Sequence, residues 1–324
     1  MPISIIIPTY NGAKRIGKCL EALAQQDYQN DYEILVVDDG SKDNTAALIE
    51  EKYPQVKLMR QENAGPAAAR NNGAQHASGD IILFTDDDCI PVTDWLLQML
   101  KPFENPAVVA VKGAYLTKQP QLIARFVQLE YEDKYRLLEK ESYIDFIDTY
   151  SAAFRQEVFI KYGGYDSSFP VACAEDVELS YRMSYAGEKM VFQPKAQVYH
   201  THPDTLMNYL KKKYKFAYWR VLAVKKNPQK AVKDSHTPQL MKIQLLFIPV
   251  LILLLLGGLL EPWLFSIAGA LLGLFFITTL PFATRSLRKD KKVGLVSPLL
   301  LLGRAIAQFF GVFSGSVNLL FTKS

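Results

Sequence analysis

The feature that most constrains this chain lies in its last quarter. Leu240 to Leu260 carries one charge, Lys242, near its start, and Pro262 to Phe282 carries none. At about 1.5 Å of helical rise per residue, each run can cross a hydrocarbon core roughly 30 Å thick. Only Glu261 separates them, so they form a tight helical hairpin. Val293 to Phe321 is also apolar but contains Arg304, Gln308 and Asn318. An arginine inside a spanning helix is costly unless it is paired or faces protein. Three spans are therefore expected, over 240–260, 262–282 and 294–321, with an interfacial or re-entrant helix as the alternative for the third.

The excess basic charge sits around Lys211 to Lys242 and Arg285 to Lys292, beside these runs. Basic loops stay on the cytosolic side. The two segments agree, because two crossings return the chain to one face. An integral membrane protein with everything before the spans in the cytosol is the expectation. Within 206–239, Lys211, Lys212, Lys213 and Lys215 alternate with Tyr214, Phe216, Tyr218 and Trp219. That mixture suits a segment at the lipid headgroups, with membrane lipids as partners. An ordinary basic helix packed on protein is the alternative. A net charge of +4 is too small to suggest nucleic-acid binding. Cys19, Cys89 and Cys173 form no CxxC pair, so buried free thiols are expected rather than a zinc or disulfide framework. Met1-Pro2 leads into an apolar run too short for a secretory signal core.

The first 205 residues read differently. Apolar strand-like runs at Ile3–Pro8, Tyr32–Val37, Val56–Met59, Ile81–Phe84 and Val108–Val111 alternate with helical stretches at Lys14–Gln25, Asn44–Glu51 and Pro66–Ala77. Pro8 is expected to end the first strand. Such alternation implies an α/β domain with a mainly parallel sheet and flanking helices. Ligands then bind past the carboxyl ends of the strands. The loops that matter are Thr9–Gly12, Asp38–Asp43, Gln61–Gly65 and Thr85–Pro91.

These loops concentrate carboxylates. Asp38-Asp39-Gly40-Ser41 is either a solvated turn or a pair that needs donors or a cation. In Asp86-Asp87-Asp88, an extended backbone would send Asp86 and Asp88 to one side. Magnesium takes one or two carboxylates plus phosphate oxygens. The bland alternative is an acidic turn before a helix. Glu175-Asp176, with Glu178, opens another helix that Gly187 ends, and there carboxylates also serve as dipole complements.

Taken in order, Ile5-Ile6-Ile7-Pro8-Thr9-Tyr10-Asn11, Val36-Val37-Asp38-Asp39-Gly40-Ser41, Asn63-Ala64-Gly65 with Ala69-Arg70-Asn71 and Gly73, Asp86-Asp87-Asp88, Gly163-Gly164-Tyr165-Asp166 and Glu175-Asp176 resemble family 2 glycosyltransferases of the GT-A fold. The resemblance covers about the first 200 residues. It implies inverting transfer of a hexosyl group from a UDP- or GDP-sugar to an acceptor hydroxyl, with Mg2+ or Mn2+ as cofactor. By resemblance, Pro8, Thr9 and Tyr10 line the nucleotide pocket, Asp39 meets the base, and Arg70 lies nearby. Asp86 faces ribose or metal, Asp88 ligates the metal, and Asp87 is the variable middle position on the donor side. Asp176 is the general base with Glu175 beside it, and His200 is a further metal or phosphate contact. A helix amino terminus should lower the Asp176 pKa and weaken it as a base, whereas burial would oppose that. A membrane-attached site favours a lipid-linked or membrane-proximal glycan acceptor.

Rival readings remain at this level. A polyprenyl phosphate acceptor would need no base. Gly12 to Cys19 nearly spells a P-loop, but Cys19 replaces the hydroxyl that would hold Mg2+. A non-catalytic membrane scaffold would keep the fold without the chemistry.

Overall fold

The computed structural model describes residues 2–168, 174–226, 228 and 238–321. The chain divides into two compact units. One comprises Met1–Lys118 and Tyr135–Thr201, and the other Gln119–Lys134 and His202–Ser324.

The first unit is built on an eight-stranded mixed sheet. In chain order its elements are β1 (Ile3–Thr9), α1 (Ile16–Ala24), β2 (Glu33–Asp38), α2 (Thr45–Lys52), β3 (Lys57–Arg60), α3 (Pro66–His76), β4 (Ile81–Thr85), β5 (Ile90–Pro91) and α4 (Trp95–Leu100). A short 3-10 turn (Lys101–Glu104) leads to β6 (Val108–Leu116). After α5 (Leu122–Leu138) come β7 (Ser151–Arg155), α6 (Gln156–Lys161), α7 (Glu175–Tyr185) and β8 (Lys189–Tyr199).

The strand order is β3-β2-β1-β4-β7-β6-β8-β5. β3, β2, β1 and β4 run parallel, as the alternating pattern predicts. β7 is antiparallel to both neighbours, β8 is parallel to β6, and β5 is antiparallel to β8. The sheet is thus more mixed than expected. The carboxyl ends of β1, β2, β3, β4, β6 and β8 nevertheless share one edge.

β1 and β4 are buried along their whole length, which explains their unbroken apolar runs. β1 does not stop at Pro8 but continues to Thr9 beside Asp38 of β2. Pairing with β4 ends at Ile6, so the missing Pro8 N–H costs no ladder bond on that side. Behind the sheet, Phe84, Phe154, Phe159 and Tyr165 pack edge-on or tilted, with centroids 5.2–6.4 Å apart.

The second unit holds the α5 residues up to Lys134 and four more helices: α8 (Leu206–Lys226), α9 (Gln239–Gly257), α10 (Leu264–Lys289) and α11 (Lys291–Phe321). α9, α10 and α11 are long and apolar enough to cross a membrane. Large side chains such as Leu246, Leu253, Leu256 and Ile277 stay exposed on them, as expected where lipid is the solvent. The third apolar run is one helix of 31 residues, more than the roughly 20 a span needs.

α8 packs along α11. A Cβ at Gly311 or Gly315 would overlap the Tyr214 or Tyr218 carbonyl oxygen, so this small-residue pair permits the close approach. α8 is the described part of the basic 206–239 segment. Residues 227 and 229–237 of that segment lie outside the described residues, as does Cys173.

Arg304 of α11 is not left alone. Its Nη1 donates to Glu130 Oε1 at 2.7 Å and its Nη2 to Gln244 Oε1 at 2.6 Å. Glu130 Oε2 also accepts the Tyr209 hydroxyl and pairs with Lys213 Nζ, both at 3.1 Å. Gln244 Nε2 donates onward to Thr278 Oγ1 at 3.1 Å. Burial opposes charge on Glu130, but Lys213 and Arg304 outweigh it and hold the carboxyl below its ordinary pKa. Around this network pack Ile123, Phe126, Val127, Phe282 and Leu301.

Candidate active site

The shared carboxyl edge in the first unit gathers the acidic loops. Asn11, just past β1, adopts φ 50° and staples the next loop to its own. Its side-chain oxygen accepts from the Lys42 and Asp43 amides at 2.8 and 3.3 Å, and its own amide donates to Ser41 Oγ at 2.8 Å. Asp38 Oδ1 accepts the Ser41 amide at 3.1 Å across Gly40. Gly40 has φ 76°, a left-handed turn that a side chain would strain.

Asp39 is buried and fully engaged by the loop after β3. Its Oδ1 accepts Gln61 Nε2 at 2.7 Å and the Ala64 amide at 2.9 Å. Its Oδ2 accepts Asn63 Nδ2 at 3.2 Å and the Gly65 amide at 2.9 Å. Four donors answer the solvation need of one buried anion. They also fix Gly65, the residue before α3, and so the helix that carries Arg70.

The Asp86–Asp88 run splits by side. Asp87 faces Thr9, whose hydroxyl donates to it at 2.6 Å, and Arg15, which grips both carboxylate oxygens at 2.8–2.9 Å. Burial raises the Asp87 pKa, and the Arg15 and Thr9 bonds only partly offset this. Asp86 turns to Arg70, whose Nη2 donates at 2.6 Å. Arg70 Nη1 reaches Glu175 Oε1 at 3.2 Å. One buried guanidinium therefore ties the loop after β4 to the first turn of α7. It also lies 5.9 Å above the Tyr165 ring. The next residue, Asn71, clamps the backbone of Tyr165 from both sides, at 2.7 and 2.8 Å.

Asp176 follows Glu175 at the start of α7, where its carboxylate accepts the Val177 amide at 2.8 Å. Burial, and next the Glu175 charge, raise its pKa to about 7; the Val177 amide, Arg70 and Lys112 pull the other way. The conflict posed by a carboxylate at a helix amino terminus thus resolves toward burial. Glu178 has a structural use instead. It pairs with Arg182, which also donates to the carbonyl oxygens of Tyr162 and Gly164 and so holds the turn before Tyr165.

His200 follows β8 on the same edge. β5 pairs antiparallel with the end of β8, Ile90 opposite Tyr199, which sets Cys89 beside His200. His200 Nδ1 lies 3.4 Å from Asp88 Oδ1. The His200 ring stacks on Tyr115 at 4.5 Å, and its amide donates to the Leu116 carbonyl at 2.9 Å. A half-exposed carboxylate with an imidazole suits a divalent cation, and two protein ligands leave coordination positions for phosphate oxygens.

Residues 4–163 match the family model Glycosyl transferase family 2. The amino-terminal half of the chain is a family 2 glycosyltransferase domain. Glycosyltransferase AglE of Haloferax volcanii is 40% identical to it over 116 residues, 34% of this chain and 38% of that one. The pre-mycofactocin glycosyltransferase of Mycobacterium tuberculosis is 26% identical over 223 residues, 65% of this chain and 45% of that one. The chain thus spans less than half the length of these curated relatives. A mannosyltransferase from Pyrobaculum calidifontis, solved in complex with GDP-Man and Mn2+, shares the GT-A fold. It superposes with TM-score 0.62 at 24% identity, covering 99% of this chain and 88% of that one.

Within the first unit, the expected residues fall into three sets. Asp86, Arg70 and Glu175 form one, with Asp176 alongside. Asp88 and His200 form a second, and Thr9 and Asp87 a third. Asp39 belongs to the Gln61–Gly65 loop, Pro8 is buried in β1, and Tyr10 is exposed. Three contributors were not foreseen. Arg15 sits at the foot of α1 with nothing in its spacing to mark it. Lys112 is buried in β6, ion-paired with Asp148 and 5.1 Å from the centres of the Phe146 and Tyr150 rings. A lone lysine inside an apolar strand run is the signal that could have found it. Cys89 reads from sequence as an ordinary buried thiol.

Proposed function

We propose that the protein transfers a hexosyl group from a UDP- or GDP-sugar to an acceptor hydroxyl, with inversion at the anomeric carbon. The observation that carries this reading is the Arg70 bridge. It brings a donor-side carboxylate, Asp86, within one guanidinium of the helix that bears Asp176. Asp176 then acts as the general base, taking the acceptor proton as the hydroxyl oxygen attacks. A base titrating near neutrality suits that work, and such a group contributes roughly 10²–10⁴-fold. Arg70 offsets only part of the Asp86 and Glu175 charge, so the buried Asp176 stays ready to take a proton. Thr9, Asp87 and Pro8 shape the wall of the nucleotide pocket, Tyr10 covers its exposed side, and the Asp39 loop frames the base. Asp88 and His200 would hold the Mg2+ or Mn2+ ion, with Asp86 nearby. A divalent cation there supplies Lewis-acid stabilisation of the leaving diphosphate. The GDP-Man and Mn2+ named for the P. calidifontis structure support this donor class.

The spanning helices favour a lipid-linked or membrane-proximal glycan as acceptor. The basic residues of α8 and of the α10–α11 junction support a cytosolic catalytic unit. A polyprenyl phosphate acceptor is disfavoured, because an ionised phosphate has no use for a base at Asp176. A P-loop is disfavoured too, since Lys18 is exposed on a helix.

The test is nucleotide release from a panel of UDP- and GDP-sugars, with total membrane lipids as acceptor, with and without Mn2+. Asp88→Ala should abolish metal-dependent donor binding. Asp176→Asn should spare donor binding and lower transfer by about 10²–10⁴-fold. Normal transfer by Asp176→Asn would end the base assignment, and silence across the panel would favour a scaffold.

A further inference from the structure

Cys89 has no place in the transfer chemistry, yet its sulfur points at the proposed cation ligands. Asp88 Oδ1, Cys89 Sγ and His200 Nδ1 form a triangle. Its sides are 3.4 Å from oxygen to nitrogen, 3.8 Å from oxygen to sulfur and 3.9 Å from sulfur to nitrogen. A tetrahedral zinc ion binds oxygen and nitrogen at about 2.0–2.1 Å and thiolate at about 2.3 Å. Tetrahedral angles then put the three ligand atoms about 3.3, 3.5 and 3.6 Å apart. In the observed triangle the two sides to sulfur are likewise the longer ones, and each side exceeds the tetrahedral value by about 0.1–0.4 Å. A magnesium octahedron has oxygen ligands about 2.0–2.1 Å from the ion, hence only about 2.9 Å from one another, and has no use for sulfur.

The fold holds the triangle in place. The β5–β8 pairing sets Cys89 against His200. The Cys89 amide donates to the Asp86 carbonyl oxygen at 3.0 Å, which fixes the turn. The Tyr115 ring braces the imidazole. We propose that Asp88, Cys89 and His200 form a three-ligand site for a thiophilic divalent cation of the Zn2+ class, which competes with the hard cation of sugar transfer.

The inference rests on the reading of Asp88 and His200 as the donor-site cation ligands; it adds Cys89 and a metal class. Carboxylate alone favours Mg2+ and Mn2+, whereas thiolate and imidazole favour Zn2+, which also stands above Mn2+ in intrinsic affinity. An ordinary thiol carries its proton at neutral pH. The arriving cation therefore displaces the thiol proton to solvent. Three protein ligands leave a tetrahedral ion one open position, so Zn2+ occupancy slows transfer.

Titration of the detergent-solubilised full chain with Co2+, a coloured stand-in for Zn2+, tests this. Wild type should show a sulfur-to-cobalt charge-transfer band that saturates at about one ion per chain and is bleached by Zn2+. The band should vanish in Cys89→Ser and persist in Cys19→Ala. Zn2+ affinity in Cys89→Ala should fall at least as much as the roughly 10–100-fold that outer-shell changes cause. Absence of the band in wild type, or its persistence in Cys89→Ser, overturns the proposal. Mn2+-dependent nucleotide release, measured in parallel, separates the two readings. Release without the band defeats this site alone. The band without release supports the site and defeats the transferase reading.

Discussion

Each unit buries one arginine against carboxylates, and the two arrangements have opposite charge balance. In the first unit, Arg70 serves Asp86 and Glu175, with Asp176 next in the chain. In the other unit, Glu130 serves both Arg304 and Lys213. Where cations are outnumbered, they do not offset burial, and burial together with the Glu175 charge pushes Asp176 up toward neutrality. Where the carboxylate is outnumbered, it is driven the other way and stays ionised. The first arrangement leaves a group ready to accept a proton; the second leaves none and works as a clasp between helices. Buried arginines alone do not mark a reactive centre. The count of opposite charges around them does.

The sharpest way to break this comparison is to remove Arg70. Arg70→Ala leaves Asp86 and Glu175 facing each other without a cation. Breaking a buried ion pair in this way costs about 3–5 kcal/mol. The expected result is a large fall in unfolding temperature together with loss of transfer. Should Arg70→Ala fail to fold, Arg70→Lys keeps the charge but lacks the fork that reaches both carboxylates. That variant should fold and transfer poorly. Wild-type transfer by Arg70→Lys would show that the bridge is dispensable.

A second measurement sharpens the comparison through pH. Asp176 must be ionised to accept a proton, so transfer should fall as pH drops through about 7. Below that point the loss is about tenfold per pH unit, or roughly 100-fold two units down. An acid limb in kcat/KM near pH 4 would mean that Asp176 keeps an ordinary carboxylate pKa. The burial argument would then fail.

Much of this was legible in the residues. Uninterrupted apolar runs marked β1, β2 and β4, because strands buried on both faces have no polar side to show. The loops at their carboxyl ends followed from parallel order alone. β7 and most of β8 were not legible. β7 is five residues with two alanines, and β8 mixes buried and exposed positions without clean alternation. For the same reason the link between Cys89 and His200 was hidden. It depends on a two-residue strand that brings together two residues 111 positions apart. Asp87 and Asp39 were visible as carboxylates, but not that Arg15 and the Gln61–Gly65 loop would satisfy them. Hydrogen-bond saturation is a property of the folded loops. Arg304 signalled that it needed a partner, yet nothing local pointed to Glu130, 174 residues away.

The clasp in the second unit gives the smallest effect and tests the comparison from the other side. Arg304→Met removes one of two cations, and Glu130 keeps Lys213 and the Tyr209 hydroxyl. Polar contacts between membrane helices are worth about 1–2 kcal/mol at most, so the loss should be of that order. Glu130→Gln should cost more than Arg304→Met, because it strands two cations with no carboxylate. Unfolding of the detergent-solubilised single and double variants provides the cycle. A coupling near zero would mean that Gln244 alone satisfies Arg304. A larger loss for Arg304→Met than for Glu130→Gln would reverse the charge count and remove the contrast with Arg70. Donor binding should be unchanged in both variants, since both residues belong to the second unit.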